Sequence, residues 1–521
     1  MTNKKSLLRV LLLFLIVSLF FRIDFRFKNS VECCSDDYDY YSHAATVAID
    51  ADFDYTNQLT SDHPYVYKNP KNGKIAPVGF PGSGLLSSPF LLIGNLIDKN
   101  LNTSSGNEVL NYKLLLYSLS PIFYFFVSFV LMYKSLLKLN FDVDKYKLLI
   151  IISGSGVSYF AFERFSMTHV YEMFSISLLI WHCIRFYKDN STLSAILIPI
   201  SIAIGLLVRL SNIYIFLIPL IIKKLINQQF QITQDIRKTP SLLLSSIATI
   251  ILYNTISTNI YGNPVYNPQK VYGSNISVGS IAGKDASLLS FIVSKFQDIF
   301  TILFGNEFGI FWVSPIIFMA LFLALKNLKG WINYLFIICL LQNIAIVLIW
   351  QSTGASYGFR YLYSLTPLCV VMFFLYRKNK LNDTYFNFLY VMSIFSNLSI
   401  LFFETTEQTQ LSMTEIRNSF GEIKNYSEPK YVTGLLQSFV ELESYLIIFT
   451  TSLVGVIFFK LVLLLIDSVS TIELLSKIGL PSNNEDFILY LENLENMSSI
   501  KIVLIVVFLL LISNFIVRKL D

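Results

Sequence analysis

Apolar runs separated by short polar breaks dominate the chain. The first, Ser6 to Phe21, follows a basic flank with Lys4 and Lys5, and from residue 113 onward the alternation is almost unbroken. Runs at 113–133, 147–162, 170–186, 193–208, 211–222, 241–257, 310–325, 331–350, 361–376, 385–403, 445–466 and 500–517 each read as a membrane span, and with the first they make about 13. The first run resembles a signal peptide in flank and length. Arg22-Ile23-Asp24-Phe25-Arg26 follows it in place of a small-residue cleavage pattern, so it is expected to remain as the first span.

Basic residues orient the bundle. Lys4, Lys5 and Arg9 place the N-terminus in the cytoplasm, and Lys134, Lys138, Lys145, Lys147, Arg185, Lys188, Lys223, Lys224, Arg237, Lys238, Lys326, Lys329, Arg377, Lys378 and Lys380 then share one side. Reading 193–222 as one span would export Lys223 and Lys224, so two short spans turning at Arg209 are expected. On this count Arg518 and Lys519 end outside, against the rule.

The first loop, 22–112, is therefore extracytoplasmic and too patterned for a plain connector. Ala44 to Ile49 is helix-compatible, Asn69-Pro70-Lys71-Asn72-Gly73 is a turn, and Gly79-Phe80-Pro81-Gly82-Ser83-Gly84 breaks the backbone. The apolar stretch Leu85 to Ile97 falls short of the ~20 residues that cross a bilayer, so it is expected to be interfacial or re-entrant.

Composition agrees with a polytopic membrane protein: 54% of the 521 residues are hydrophobic and 14% charged, with a mean hydropathy of +0.57. A net charge of +5 gives no case for nucleic acid. Cys183, Cys339 and Cys369 sit inside apolar runs, and with Cys33 and Cys34 they fit neither a disulfide scaffold nor a zinc site.

Against this background one polar stretch stands out. Ser35-Asp36-Asp37-Tyr38-Asp39-Tyr40-Tyr41-Ser42-His43-Ala44 and Ile49-Asp50-Ala51-Asp52-Phe53-Asp54 put carboxylates in the first loop, beside the membrane. Such groups take a proton from a nucleophile, bind a divalent cation or hold sugar hydroxyls; the plainer reading is helix caps and solvated charges. Phe162-Glu163-Arg164-Phe165-Ser166-Met167-Thr168-His169, the turn at Arg209, and Ser352-Thr353-Gly354-Ala355-Ser356-Tyr357-Gly358-Phe359-Arg360-Tyr361 bring further ionisable groups to the same side. An arginine at a span end also snorkels to water at little cost.

The order of these segments resembles the GT-C superfamily of membrane glycosyltransferases, in the group of aminoarabinose transferases and protein mannosyltransferases. The resemblance is carried by the Asp36-Asp37 segment, Asp50 to Asn57, Val78-Gly79-Phe80-Pro81-Gly82 leading to Pro89-Phe90, Gly205 to Asn212, Gly309 to Pro315, and Ser356 to Tyr361 ahead of Pro367. It implies an all-α bundle with a structured first extracytoplasmic loop: a catalytic module at 1–403, followed by a region 404–521 with an outer loop and two more spans. It implies transfer of a sugar from a polyprenyl-phosphate donor to a lipid, glycan or protein acceptor at the outer face of the inner membrane. Asp36 or Asp37 would be the general base, made more basic by a neighbouring carboxylate. Arg360, with Arg164 and Arg209, would hold the donor phosphate, and Tyr40, Tyr41, Asp52, His169 and Tyr357 would line the substrate pocket. A divalent cation, Mg or Mn, is admitted as cofactor with no ligand set assigned. Asp37 stands where glutamate is common in the superfamily, and no glutamate precedes Phe80-Pro81, which argues against the aminoarabinose branch. No Gly-rich phosphate loop is present, as suits a donor delivered through the membrane.

The rival from another class is a lipid-linked glycan flippase or other multi-pass transporter. That would need charge near mid-span and often internal repeats, whereas here the polar groups gather at one face. An O-antigen-type polymerase would carry its large outer loop late in the chain.

Overall fold

The computed structural model describes residues 2–22, 35–59, 66–69, 72–101, 111–226, 240–267, 271, 297–305, 308–350, 357–380, 383–403, 431–477 and 485–520. Cys33, Cys34, Gln228, residues 352–356 and most of the loops expected to be outer, 258–309 and 404–444, lie outside them. The chain is an all-α polytopic membrane protein. Among the described residues, five helices are long and apolar enough to cross a bilayer: Tyr112–Lys138, Pro240–Tyr261, Trp331–Leu348, Thr384–Leu401 and Ser499–Leu520.

Several expected spans are broken helices. The run 147–162 divides into Lys145–Ser153 and Val157–Phe162 at Gly156, whose φ of +81° suits glycine and whose missing side chain makes room for the Tyr363 ring. The runs 211–222 and 361–376 each begin with a 3-10 turn, Asn212–Leu217 and Arg360–Leu365, before the α-helices Ile218–Leu225 and Thr366–Lys380. Conversely, the stretch expected to be a short interfacial segment is one helix of 20 residues, Gly82–Leu101. It continues past Ile97 because Asp98 caps the next helix, accepting from the Tyr112 and Lys113 backbone N–H groups at 3.0 and 2.9 Å.

The expected C-terminal topology is corrected. Region 445–466 is not one span: it breaks at Ser452 into Leu442–Thr451 and Leu453–Leu463, and a bend of 111° follows before Ser468–Leu474. Lys460, within the second piece, donates to the Leu494 and Glu495 carbonyls, so the chain turns back toward Ser499. The helix Ser499–Leu520 then runs from Lys501, beside the Tyr112 ring, to Leu520, whose carbonyl accepts from Lys145 at 2.8 Å. Arg518 and Lys519 therefore share the end of the bundle that holds Lys138, Lys145 and Arg377, and the exception to the charge rule disappears.

At the opposite end the first loop builds a cap. Val66–Lys68 pairs antiparallel with Ile75–Pro77, with Tyr67 opposite Ala76, around the expected turn at Asn69 to Gly73. A small apolar core under it joins Tyr55, Leu59, Ala76 and Phe80 to Leu207, Leu210, Ile260 and Tyr261, fastening the cap to the ends of the helices Thr192–Val208 and Pro240–Tyr261. Arg22, at the end of the first helix, Thr2–Phe20, meets Glu163 at 3.4 Å and donates to the Phe403 carbonyl and to Thr451, which ties the C-terminal region to this end.

Candidate active site

The acidic stretch is a helix, Ser35–Ala45. Asp36 and Asp37 occupy its first turn, where carboxylates complement the exposed backbone N–H groups. Neighbours on a helix point about 100° apart, so the two acids reach different partners. Asp36 Oδ2 lies 3.3 Å from Arg360 Nη2, and Asp37 Oδ2 lies 3.5 Å from Arg164 Nη2. The start of the helix is pinned by Ser166, which donates to the Asp37 carbonyl at 2.8 Å and meets the Tyr117 hydroxyl at 2.9 Å.

A third pair completes the arrangement. Arg209, the residue that ends Thr192–Val208, places its Nε 3.5 Å from Glu172 Oε1. Glu172 also accepts from Asn212 at 3.2 Å and meets His169 Nδ1 at 3.0 Å, all deep in the protein. The ring of Tyr361 joins two of the pairs: the guanidinium carbon of Arg209 is 4.7 Å from its centroid and that of Arg360 is 5.4 Å. Three arginines from three different chain turns thus meet three carboxylates where the loop helix rests on the bundle.

Glu172 escaped the sequence reading because it sits inside an apolar run. The available signal was an acid one turn after His169 within a span, an expensive placement that demands a partner. Tyr361 falls in the Ser356-to-Tyr361 segment, but its place beside Arg209 was not legible there, since only the folded chain brings Arg209 to its ring.

Asp36 and Asp37 face different guanidinium groups, so the pair does not share one partner. Burial pushes the Asp39 carboxyl up to about 8, against the opposing Gly79 N–H bond and with a further push from the Asp36 charge. Asp39 accepts from the Gly79 N–H at 2.8 Å, while His43, one turn on, meets the Gly79 carbonyl through Nε2 at 2.8 Å and the Tyr55 hydroxyl through Nδ1 at 2.7 Å. A carbonyl only accepts, so Nε2 carries the proton and Nδ1 accepts from Tyr55. Burial holds His43 down at about 4, in keeping with that neutral form. Glycine is required here: a Cβ on residue 79 would stand 2.9 Å from the Tyr40 ring. These two residues clamp the Gly79 peptide to the loop helix.

The remaining expected residues divide. Tyr40 is buried against Gly79, and Tyr41 packs edge-on against Tyr117, both under the loop helix. His169 supports Glu172. Asp52 does not join the arginines: it accepts from Thr46 Oγ1 and the Asp54 N–H, both at 3.0 Å, a local turn on the rim of an outer cavity of about 750 Å³ shared with Lys68 and Lys74. Tyr357 is fully buried, stacked on Tyr159 at 5.1 Å and edge-on to Phe403, so it belongs to the core rather than to a pocket wall.

No family model and no curated protein sequence matches this chain. Two solved structures do. The apo oligosaccharyltransferase of Archaeoglobus fulgidus aligns over 94% of this chain and 64% of its own, with 13% identity and a TM-score of 0.38. The oligosaccharyltransferase AglB of the same organism, in complex with an inhibitory peptide and a dolichol-phosphate, aligns over 86% of this chain and 56% of its own, with 12% identity and a TM-score of 0.32. This chain spans less than two thirds of the length of either protein. The chemistry of its site rests on its own side chains.

Those side chains provide fixed positive charge, one water-facing carboxylate and a buried polar scaffold. A divalent cation fits them poorly, since each of Asp36, Asp37 and Glu172 faces a guanidinium, and among the described residues no three His, Cys, Asp or Glu side chains gather as a metal-holding group.

Proposed function

We propose that this chain is a GT-C-type glycosyltransferase that moves a sugar from a polyprenyl-phosphate donor to a lipid, glycan or protein acceptor. The observation that carries this reading is the cluster of Arg164, Arg209 and Arg360 at the end of the bundle opposite the lysine-rich end, with the Asp36 carboxylate facing water beside it. By the distribution of basic residues that end is extracytoplasmic, the N-terminus is cytoplasmic and the protein resides in a cell membrane, in bacteria the inner one.

In this reading Asp36 is the general base. Its side chain is 42% exposed, against 2% for Asp37, so an acceptor reaches Asp36 while Asp37 serves to hold Arg164. The carboxylate takes the proton of an acceptor O–H or N–H, and the freed electron pair attacks the anomeric carbon. The bond from that carbon to the phosphate oxygen breaks, and its electron pair leaves on the polyprenyl phosphate. Guanidinium groups stabilise the charge that gathers on the departing oxygens and offer paired N–H donors suited to them. No step is routed through a metal.

The test is turnover of a lipid-linked sugar by the purified full-length protein, with release of polyprenyl phosphate as the readout. Release that depends on both acceptor and Arg360 supports the proposal. Movement of lipid-linked glycan across a vesicle membrane without cleavage would replace it with the transporter reading.

A further inference from the structure

The three ion pairs are unequal in a way that bears on how an anion enters. Glu172 is held by Arg209, His169 and Asn212 together, and its side chain is 1% exposed. Asp37 is equally enclosed, under a helix start fixed by Ser166. Asp36 alone faces water, and it meets its arginine through one oxygen, Oδ2. Arg360 is nevertheless buried. Besides Asp36 its guanidinium reaches only the Met167 sulfur, at 3.7 Å, and the Tyr361 ring, and its Nε has no hydrogen-bond partner among the described residues. A guanidinium has five N–H donors, so Arg360 holds unused donor capacity behind one exposed carboxylate.

We infer that Asp36 is a displaceable cover on Arg360: the phosphate of the incoming donor takes the guanidinium, and the carboxylate swings free to serve as base. This inference rests on the glycosyl-transfer reading and adds an order to it, with donor binding ahead of acceptor activation. A phosphate group offers several oxygens that can meet the fork, including its idle Nε, where Asp36 reaches it through Oδ2 alone. The enclosed acids cannot leave without exposing a buried charge, so Arg164 and Arg209 keep their partners and act as fixed walls. The released Asp36 carries the negative charge that a base needs, and the phosphate replaces the charge it leaves behind. Until the donor arrives, the base is occupied.

The experiment is equilibrium binding of farnesyl phosphate to the purified full-length protein in detergent, with farnesol as the uncharged control. Asp36→Asn removes both the competing carboxylate and its repulsion of the ligand, so it is expected to bind about three- to tenfold more tightly than wild type. Arg360→Ala is expected to bind at least about tenfold more weakly. Asp37→Asn is not expected to tighten binding, and the Asp36→Asn gain should vanish in the double variant with Arg360→Ala. Asp36→Ala carries the same expectation as Asp36→Asn and replaces it should that variant not elute as a single species. Unchanged or weaker binding by the Asp36 variants, with Arg360→Ala still weakened, overturns the displacement and leaves the phosphate reading standing. Equal binding of farnesyl phosphate by wild type and Arg360→Ala, equal binding of farnesol, or no saturable binding to the wild type overturns both.

Discussion

Glu172 Oε1 lies 3.5 Å from Arg209 Nε, with Glu172 1% exposed, and the carboxylate's other oxygen meets His169 Nδ1 at 3.0 Å. A charge this deep persists because every neighbour answers it. Removing one partner of a buried pair typically costs about 3–5 kcal/mol, since the other charge is left unanswered. Glu172→Ala is therefore expected to lower the melting temperature of the solubilised protein sharply. Glu172→Gln, which keeps hydrogen-bonding capacity toward Asn212, should lower it less. Melting curves that coincide with wild type for both variants would show that the pair supports nothing.

The two acids at the start of the loop helix should separate in their effects. Asp36→Asn is expected to fold and insert normally yet lose transfer by at least about 10²-fold, the lower end for a missing general base. Asp37→Asn leaves the buried Arg164 charge without its carboxylate, so its defect should appear first as reduced yield or stability. Turnover at matched protein levels, alongside a melting curve, distinguishes them; near-wild-type turnover by Asp36→Asn removes it from the mechanism.

For Arg360, Lys keeps the charge and loses the two-pronged geometry, while Ala loses both. Arg360→Lys should weaken donor use and Arg360→Ala should be worse, by roughly 10- to 150-fold from a charge-assisted hydrogen bond of about 1.5–3 kcal/mol. A donor titration at fixed acceptor reads this directly. Superimposed donor curves for wild type and Arg360→Ala would return the phosphate to Arg164 or Arg209.

The clamp on Gly79 gives a pH dependence whose sign is set by its two groups. Asp39 sits at about 8 in the folded protein and near the ordinary carboxylate value, about 3.9, when unfolded, so the folded state binds the extra proton and stability falls as pH rises between those values. His43 sits at about 4 when folded and about 6.5 when unfolded, so its contribution rises with pH over that interval and is flat above it. Between about 6.5 and 8 only the Asp39 effect remains. Melting temperature should decline across that window in the wild type, and the decline should flatten in Asp39→Asn. An unchanged slope in that variant would sink this account.

Orientation is open to a direct test. Asn72→Cys, on the exposed turn of the cap, should react with an impermeant thiol reagent in intact cells, whereas Gln228→Cys should react only after the membrane is opened. Arg518→Cys should behave like Gln228→Cys, because Leu520 lies beside Lys145. Labelling of Arg518→Cys from outside would reverse the corrected C-terminal topology.

The sequence by itself determined the class of this protein, because apolar runs near the thickness of a bilayer have one stable outcome, the helix that satisfies its own backbone. It also marked the end of the bundle where the candidate site lies, since the acids and arginines there interrupt an otherwise lipophilic chain. Only the tertiary structure decided which acid meets which arginine. Asp36 and Asp37 are adjacent in sequence, yet one turn of helix aims them at Arg360 and Arg164, while Glu172, which reads as an oddity in a span, answers Arg209. Where an apolar run breaks was likewise decided by packing. Hydropathy measures affinity for an apolar environment and does not distinguish lipid from protein interior, so 445–466, apolar but broken at Ser452 and bent after Leu463, reads as a span in sequence and turns back in the fold.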